Sequence, residues 1–429
     1  MGFPYGLLVA SCMCDSFRSS SEQAQGVPPC AFFQGRGRGK GLFCVLFAFC
    51  FFSGPASAAP DPDVQTLVQR LSPDSLRATV QRLSGFNTRF VGTDSSRAAG
   101  AWLRERLIQA GYAEARFDTF TVTLDRTILG RRYVLDRVPA RNISVIKRGV
   151  RYPDRYLVLG SHYDSVNLTG SNTVSAPDTT FAPGANDNAT GVAVVLEMAR
   201  LLRAMDTDVS VVFILFDAEE LGLWGSRAYA ERARARGEDV RGMFSIDALG
   251  TRATDFPKAF SIDVTSRSLD LGGEVAQAAL NYTSLVPRNT SGMGYLETIS
   301  NRGREGCDCS DHQSFTDQGY PGVGVFQYFG ADASFHTARD TVGAVDFALV
   351  NEIGRAAFAA ATRIAGFPGR SPDFDGNGVV ELSDFFLFAT YFGTFRGEAR
   401  FEARFDMDRD GAVGIEDFFQ FAELFGRHY

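Results

Sequence analysis

The sequence predicts an α/β fold: a central mixed, mostly parallel sheet with helices on both faces, followed by a small all-α module at the C-terminus. Charge-free apolar runs such as Ser210 to Phe216, rich in β-branched residues, fit strands buried on both faces. Amphipathic stretches of helical period alternate with these runs, the pattern of helices covering a sheet. The last 59 residues, 371–429, carry an internal repeat of period 33 and a composition unlike the rest.

Taken in order, residues 1–58 form a leader. Arg36 to Lys40 is positive, Gly41 to Phe52 is a short apolar run, and Ala56-Ser57-Ala58 is a small-residue cleavage site. The run is too short to span a bilayer. The expectation is a secreted, periplasmic or cell-surface protein that leaves the membrane after cleavage. Residues 1–35 make a long lead-in, which suits a later translation start, and a retained leader anchored in the inner membrane is the competing reading.

A catalytic domain is expected over 59–366. Helical patterns occupy Pro73 to Leu83 and Arg97 to Ala110, Thr119 to Leu135 reads as a strand or hairpin, and Arg141 to Ile146 as a further strand. Strands at Tyr156 to Gly160, Ser210 to Phe216 and Gly242 to Ile246 follow, with helices at Thr190 to Ala204, Leu221 to Arg236 and Asn351 to Ile364. Residues 367–372, rich in Pro and Gly, form a linker to the module at 373–429.

Five residues of metal-ligand type are expected at the ends of strands: His162, Asp187, Glu220, Asp247 and His336. The carboxyl edge of an open α/β sheet is where ligands bind. Imidazole and carboxylate without thiolate suit zinc in a catalytic site. Glu219 and Glu220 are neighbours, and on extended backbone their side chains point in opposite directions. One can bind metal while the other acts as general base. Asp164, two residues after His162, can accept the second imidazole proton. A single carboxylate after a strand is more often a helix cap or turn residue, and Asp217 is assigned that structural part. The joint pattern, which uses two of only four histidines, singles out the others. His312 is assigned to supporting or packing work, and His428 to the surface.

These segments resemble the co-catalytic dizinc exopeptidase family, which includes secreted bacterial aminopeptidases, glutamate carboxypeptidases and glutaminyl cyclases. The resemblance is carried by Gly160 to Ser165, Pro183 to Gly191, Phe216 to Ser226, Ser245 to Asp247, Ser310 to His312 and Phe335 to Asp340, in the family's order. It implies the zinc exopeptidase fold and two zinc ions bridged by Asp187. His162 and Asp247 would complete one ion, Glu220 and His336 the other, and Glu219 would activate a metal-bridging water. It also implies a cis peptide bond between Asp187 and Asn188. Phe90 to Thr93 resembles the family's entry segment. The implied function is a secreted zinc exopeptidase, an aminopeptidase acting on the N-terminus of peptides. The alternatives are a glutaminyl cyclase-like acyltransferase and a catalytically silent calcium-dependent binding protein.

Removing the leader takes five of the seven cysteines, leaving Cys307 and Cys309. A bridge between residues so close needs a tight turn, and bridged and free thiols both remain open. The net charge falls from −7 to −9, because the leader holds four Lys and Arg against two Asp and Glu. Residues 371–429 hold twelve acidic residues and five arginines. An acidic protein of this kind is no candidate for nucleic-acid binding.

The repeat fits two calcium loops, with ligands at positions 1, 3, 5, 7 and 12 and glycine at 6. The first offers Asp373, Asp375, Asn377, the Val379 carbonyl and Asp384; the second offers Asp406, Asp408, Asp410, the Ala412 carbonyl and Asp417. A Phe-rich helix follows each loop, and its phenylalanines are expected to form the module's core. Aspartate at position 12 in paired loop-helix units resembles dockerin modules, which implies docking to a cohesin-like or cell-surface partner. A domain this small would draw much of its folding free energy from two Ca2+.

Overall fold

The computed structural model describes residues 60–429 apart from 129, 171, 176, 289–295, 298–308, 329–331, 367–370, 408–410 and 429. The leader, Cys307, most of the linker, Asp408 and Asp410 therefore lie outside the described residues.

Three helices open the chain: α1 (Pro62–Gln69), α2 (Pro73–Ser84) and α3 (Asp94–Gln109). The side chains of Asp61, Ser72 and Thr93 cap their first turns by accepting backbone N–H bonds. Next come β1 (Arg116–Ile128) and β2 (Arg131–Lys147), paired antiparallel as a hairpin. The strand expected at Arg141 to Ile146 is not separate but the far end of β2, which pairs with Val211 to Leu215 along that stretch. Residues 136–140 read as an interruption in the sequence, yet the sheet carries the chain through them with Arg137 at φ 51°.

The centre of the sheet is β3 (Tyr152–His162), β4 (Val209–Phe216) and β5 (Asp239–Asp247), with β6 (Ala259–Val264), the short β7 (Val286–Arg288) and β8 (Leu296–Glu297), and β9 (Gly322–Gln327). Nine strands run in the order β1-β2-β4-β3-β5-β9-β6-β7, with β8 beside β6. Pairing is parallel through β4, β3, β5 and β9, and antiparallel at β1–β2, β2–β4 and β6–β9. The architecture is the mixed α/β sheet expected from the sequence.

Alternation along the strands divides the core between two faces. Leu157, Leu159, Phe213 and Leu215 face a layer formed by α1 to α3, α4 (Ala189–Leu202), α6 (Leu269–Tyr282) and α8 (Phe347–Ala365). Val158, Val212, Ile214 and Phe216 face the other way, against Tyr229, Ala230 and Ala233 of α5 (Trp224–Ala235) and Phe315 of α7 (His312–Asp317). Both faces of β4 are fully buried, which is why its sequence carries no charge.

The tail contributes α9 (Leu382–Tyr391) and α10 (Ile415–Glu423) around a core of Phe374, Val380, Phe388, Phe405, Met407, Val413 and Phe421. The expectation that the Phe-rich helices point inward holds for only one face. Phe388 and its repeat mate Phe421 are buried, whereas Phe386, Phe392, Phe419 and Phe425 are exposed. Two short helices can bury a single stripe between them, and a helix that is apolar all round leaves the rest outside.

Candidate metal centre

Three parallel strands end at one rim. β3 delivers His162, β4 runs into the turn holding Glu219 and Glu220, and β5 ends on Asp247. Asp187 and His336, expected at strand ends, are instead in loops: Asp187 just before α4, and His336 in the segment after β9 with φ 55°. The Asp187–Asn188 peptide bond is cis, as the resemblance implied.

The five side chains fall into two groups that share Asp187. His162, Asp187 and Asp247 offer ligand atoms within 4.8 Å of one another, and so do Asp187, Glu220 and His336. His162 Nε2 lies 3.1 Å from Asp187 Oδ1 and 3.3 Å from Asp247 Oδ1. His336 Nε2 lies 3.0 Å from Asp187 Oδ2 and 2.6 Å from Glu220 Oε2. Ligands about 2.0–2.1 Å from a tetrahedral zinc sit roughly 3.3 Å apart, so most of these separations suit an ion between the atoms. Glu220 Oε1 is buried without a hydrogen-bond partner, which a cation would supply. The donor set and the geometry fit zinc.

Burial and neighbouring charges both act on the titratable groups of this pocket. Burial pushes the Glu219 carboxyl well above its usual range; His162 opposes that, while Asp311, Glu220 and Asp247 add to it. Burial likewise lifts Glu220 to about 7. For His336 burial disfavours the charged ring, but Glu220 and Asp187 outweigh it and hold the pKa at about 11. A ligating imidazole is neutral, so zinc binding here is expected to depend on pH.

Glu219 and Glu220 part company by a different route from the extended backbone expected. The chain leaves β4 at Phe216 and turns at Ala218, φ 58°. Asp164 then accepts both amides, Glu219 N at 3.0 Å and Glu220 N at 3.2 Å. Glu220 reaches His336, while Glu219 Oε2 stops 3.9 Å from His162 Nε2. Asp164 Oδ1 is 3.5 Å from His162 Nδ1. That is too long for a good hydrogen bond, and holding the two glutamate amides is its closer contact.

Supporting residues the sequence did not single out surround this set. Asp340 accepts the backbone N–H groups of Asn186 at 2.7 Å and Asp187 at 2.9 Å. Ser310 Oγ donates to Asp247 Oδ2 at 2.6 Å. The Arg89 guanidinium, fully buried, donates to the main-chain carbonyls of Tyr163, Leu83, Pro183 and Gly184. Asp340 and Ser310 lie inside segments already recognised; Arg89 directly precedes Phe90 and gave no signal of its own. His312 is buried against Asp263, 2.8 Å from Nε2 to Oδ2, and Asp217 accepts from Tyr163 Oη and Arg141 N, in keeping with the supporting parts expected of them. His428 is exposed. Cys309 is disulfide-bonded, with Cys307 outside the described residues.

In the tail, Asp373, Asp375 and Asp384 bring their oxygens within 4.8 Å of one another. Asp373 Oδ2 accepts from Gly378 N at 2.9 Å, and its repeat mate Asp406 Oδ2 accepts from Gly411 N at 3.2 Å. Asp384 and Asp417 likewise accept from Glu381 N and Gly414 N. The Asn377 side-chain oxygen accepts from Val379 N.

Known proteins resemble this chain. The profile of peptidase family M28 matches residues 142–361. Leucine aminopeptidase 1 of Ajellomyces capsulatus is 28% identical over 325 residues, covering 72% of this chain and 75% of that protein. A probable zinc metalloprotease of Pyricularia oryzae is 33% identical over 199 residues, covering 45% and 38%. Among solved structures, the Legionella pneumophila LapA aminopeptidase superposes with a TM-score of 0.55 at 20% identity, over 71% of this chain and 75% of that one. Glutaminyl cyclase of Porphyromonas gingivalis gives 0.52 at 22%, over 68% and 98%, so fold likeness does not separate the two activities. The family profile spans half of the chain and takes in all five metal-type residues together with Asp164, Glu219, Ser310 and Asp340: the chain belongs to peptidase family M28.

Proposed function

We propose that this zinc metallopeptidase is a secreted aminopeptidase that holds two zinc ions and uses Glu219 as its general base. The observation that carries the reading is the pair of ligand groups sharing Asp187, with Glu219 beside them and bonded to neither histidine. The leucine aminopeptidase likeness favours removal of N-terminal residues over other peptidase activities. His162 and Asp247 would hold one ion, Glu220 and His336 the other, and Asp187 both. Zinc, when bound, supplies Lewis-acid stabilisation of the developing oxyanion and acidifies water. Glu219, buried and with its carboxyl biased towards proton uptake, takes a proton from the attacking water and passes it to the leaving amine. Asp164 keeps Glu219 and Glu220 in register through their amides.

The domain plan belongs to the same reading: a leader over 1–58, the peptidase domain over 59–366, a linker over 367–372 and a calcium module over 373–429. Each loop of the module would hold one Ca2+, through Asp373, Asp375, Asn377, Val379 and Asp384 and through Asp406, Asp408, Asp410, Ala412 and Asp417. The matching backbone N–H bonds accepted by Asp373 and its repeat mate Asp406, and by Asp384 and its repeat mate Asp417, support this. The dockerin-like repeat favours a cohesin-like or cell-surface partner, and the exposed Phe386, Phe392, Phe419 and Phe425 offer apolar surface for one.

A substrate screen with metal content measured alongside tests the proposal. Aminoacyl and peptide substrates with a free N-terminus should be cleaved, N-acylated ones spared, and about two zinc ions found per chain. Cyclisation of N-terminal glutamine without peptide cleavage would instead establish the cyclase alternative.

A further inference from the structure

The guanidinium of Arg89 is fully buried, and its hydrogen bonds run to main-chain carbonyls rather than to a carboxylate. Nε donates to Tyr163 O at 2.6 Å, Nη1 to Pro183 O at 2.6 Å and Leu83 O at 3.2 Å, and Nη2 to Gly184 O at 2.8 Å. Burying a charge among main-chain groups alone is expensive. Burial lowers the Arg89 pKa to about 10, and Asp340, Asp164, Asp187 and Glu220 offset part of that from nearby. Such an arrangement needs a return elsewhere, and the acceptors indicate where. Tyr163 directly follows His162, and Pro183 and Gly184 lie just before Asp187 on the loop leading to α4. The backbone of the same residue repeats the link: Arg89 N donates to Ser165 Oγ at 3.0 Å, and Ser165 Oγ donates to Ala182 O at 2.7 Å. Gly184 is at φ 51°, and a Cβ there would meet Asp187 O at 2.5 Å, Ser165 Cβ at 2.6 Å and Arg89 Nη2 at 2.7 Å, so the loop packs closely against both the guanidinium and the residues it joins.

We propose that Arg89 is a positioning residue of the metal centre: its fork fixes the spacing between His162 and Asp187 by joining the loops that carry them. Asp340 is the counterpart on the other side. It lies four residues after His336 and accepts the amides of Asn186 and Asp187, tying Asp187 to the His336 loop. Each of the two ligand groups therefore has its own clamp. A lysine at 89 would keep the charge and lose the fork.

The inference rests on the two-ion reading, and zinc titration of the metal-free full-length chain against a competing chelator separates the two. His162→Gln and His336→Gln identify which binding event belongs to which ligand group. Arg89→Lys should weaken the ion held by His162 and Asp247 about 10–100-fold, the usual effect of losing an outer-shell partner, and leave the other close to wild type. Asp340→Asn should give the reverse pattern. Cobalt substitution should alter the absorption of the first ion and not the second in Arg89→Lys. Wild-type affinity for both ions in Arg89→Lys, or equal weakening of both, overturns the clamp. If Arg89→Lys does not fold, Ser165→Ala carries the test, and unchanged affinity for the His162 ion in it is the overturning result. A wild-type stoichiometry of one would refute the two-ion reading instead; the clamp then stands only if Arg89→Lys weakens that single ion.

Discussion

Asp217 shows how a residue beside the centre acts without entering the chemistry. Burial raises its carboxyl to about 7, against bonds from Arg141 N and Tyr163 Oη that favour the ionised form. The folded-state pKa thus lies above the unfolded value near 3.9. Its contribution to stability is full below pH ~4 and is lost as the pH rises through about 7. Asp217→Asn escapes that loss, so its stability relative to wild type should climb over this window. The limiting slope is about 1.4 kcal/mol per pH unit, readable by urea unfolding at several pH values; a constant difference would contradict the assignment. Asp164 differs, because its oxygens hold the amides of both glutamates. Asp164→Ala should cost roughly 10–100-fold in activity or zinc affinity, measured by turnover and metal content together. Ligand-type side chains were legible in the sequence because few residue types bind zinc and they stood in recognisable order. Arg89 was not, since a buried guanidinium that bonds only carbonyls looks like any surface arginine until the loops meet.

Among the elements, the buried strands were the most readable. A strand enclosed on both faces must be apolar throughout, and β4 is. The hairpin was harder: β1 and β2 are partly exposed, so their alternation is broken and the length of β2 went unseen. β6, β9 and α6 were not anticipated, their patterns being short or interrupted by Gly and Ser. The expected divergence of Glu219 and Glu220 arose from a tight turn, which local period cannot foretell. Helix α4 has an equally strict requirement at its start. Asn188 caps it, accepting from Gly191 N at 2.9 Å, and a Cβ on Gly191 would lie 2.1 Å from Ile246 O. Neither backbone can withdraw without moving Asp187 or Asp247. Gly191→Ala should therefore destabilise the protein by at least about 1–3 kcal/mol, the usual range for overpacking. A melting temperature equal to wild type would contradict this packing.

At the scale of the whole molecule, the acidic tail and the peptidase domain meet at the base of β3. The Tyr152 hydroxyl donates to Asp373 Oδ2 and Arg151 to the Asp373 carbonyl, while Arg427 pairs with Glu274 at 2.7 Å. Tyr152 packs against both the main core and the tail's core. Calcium held by Asp373 would therefore stabilise more than the module. Calcium at a hundredfold excess over its dissociation constant should add about 2.7 kcal/mol per site, seen as a rise in melting temperature of the zinc-loaded chain and diminished in Tyr152→Phe. An unchanged melting temperature would remove the calcium assignment. The repeat sets the tail apart in the sequence, whereas its contact with the rest of the chain depends on surfaces that no local pattern records.

The central claim is that a shared-ligand zinc centre becomes catalytic through Glu219, and the most direct test is Glu219→Gln with turnover and zinc content measured on the same preparation. The expected result is a fall in kcat of about 10²–10⁴-fold, the typical contribution of a general base, with zinc content equal to wild type. Wild-type turnover in a fully zinc-loaded Glu219→Gln protein would contradict it.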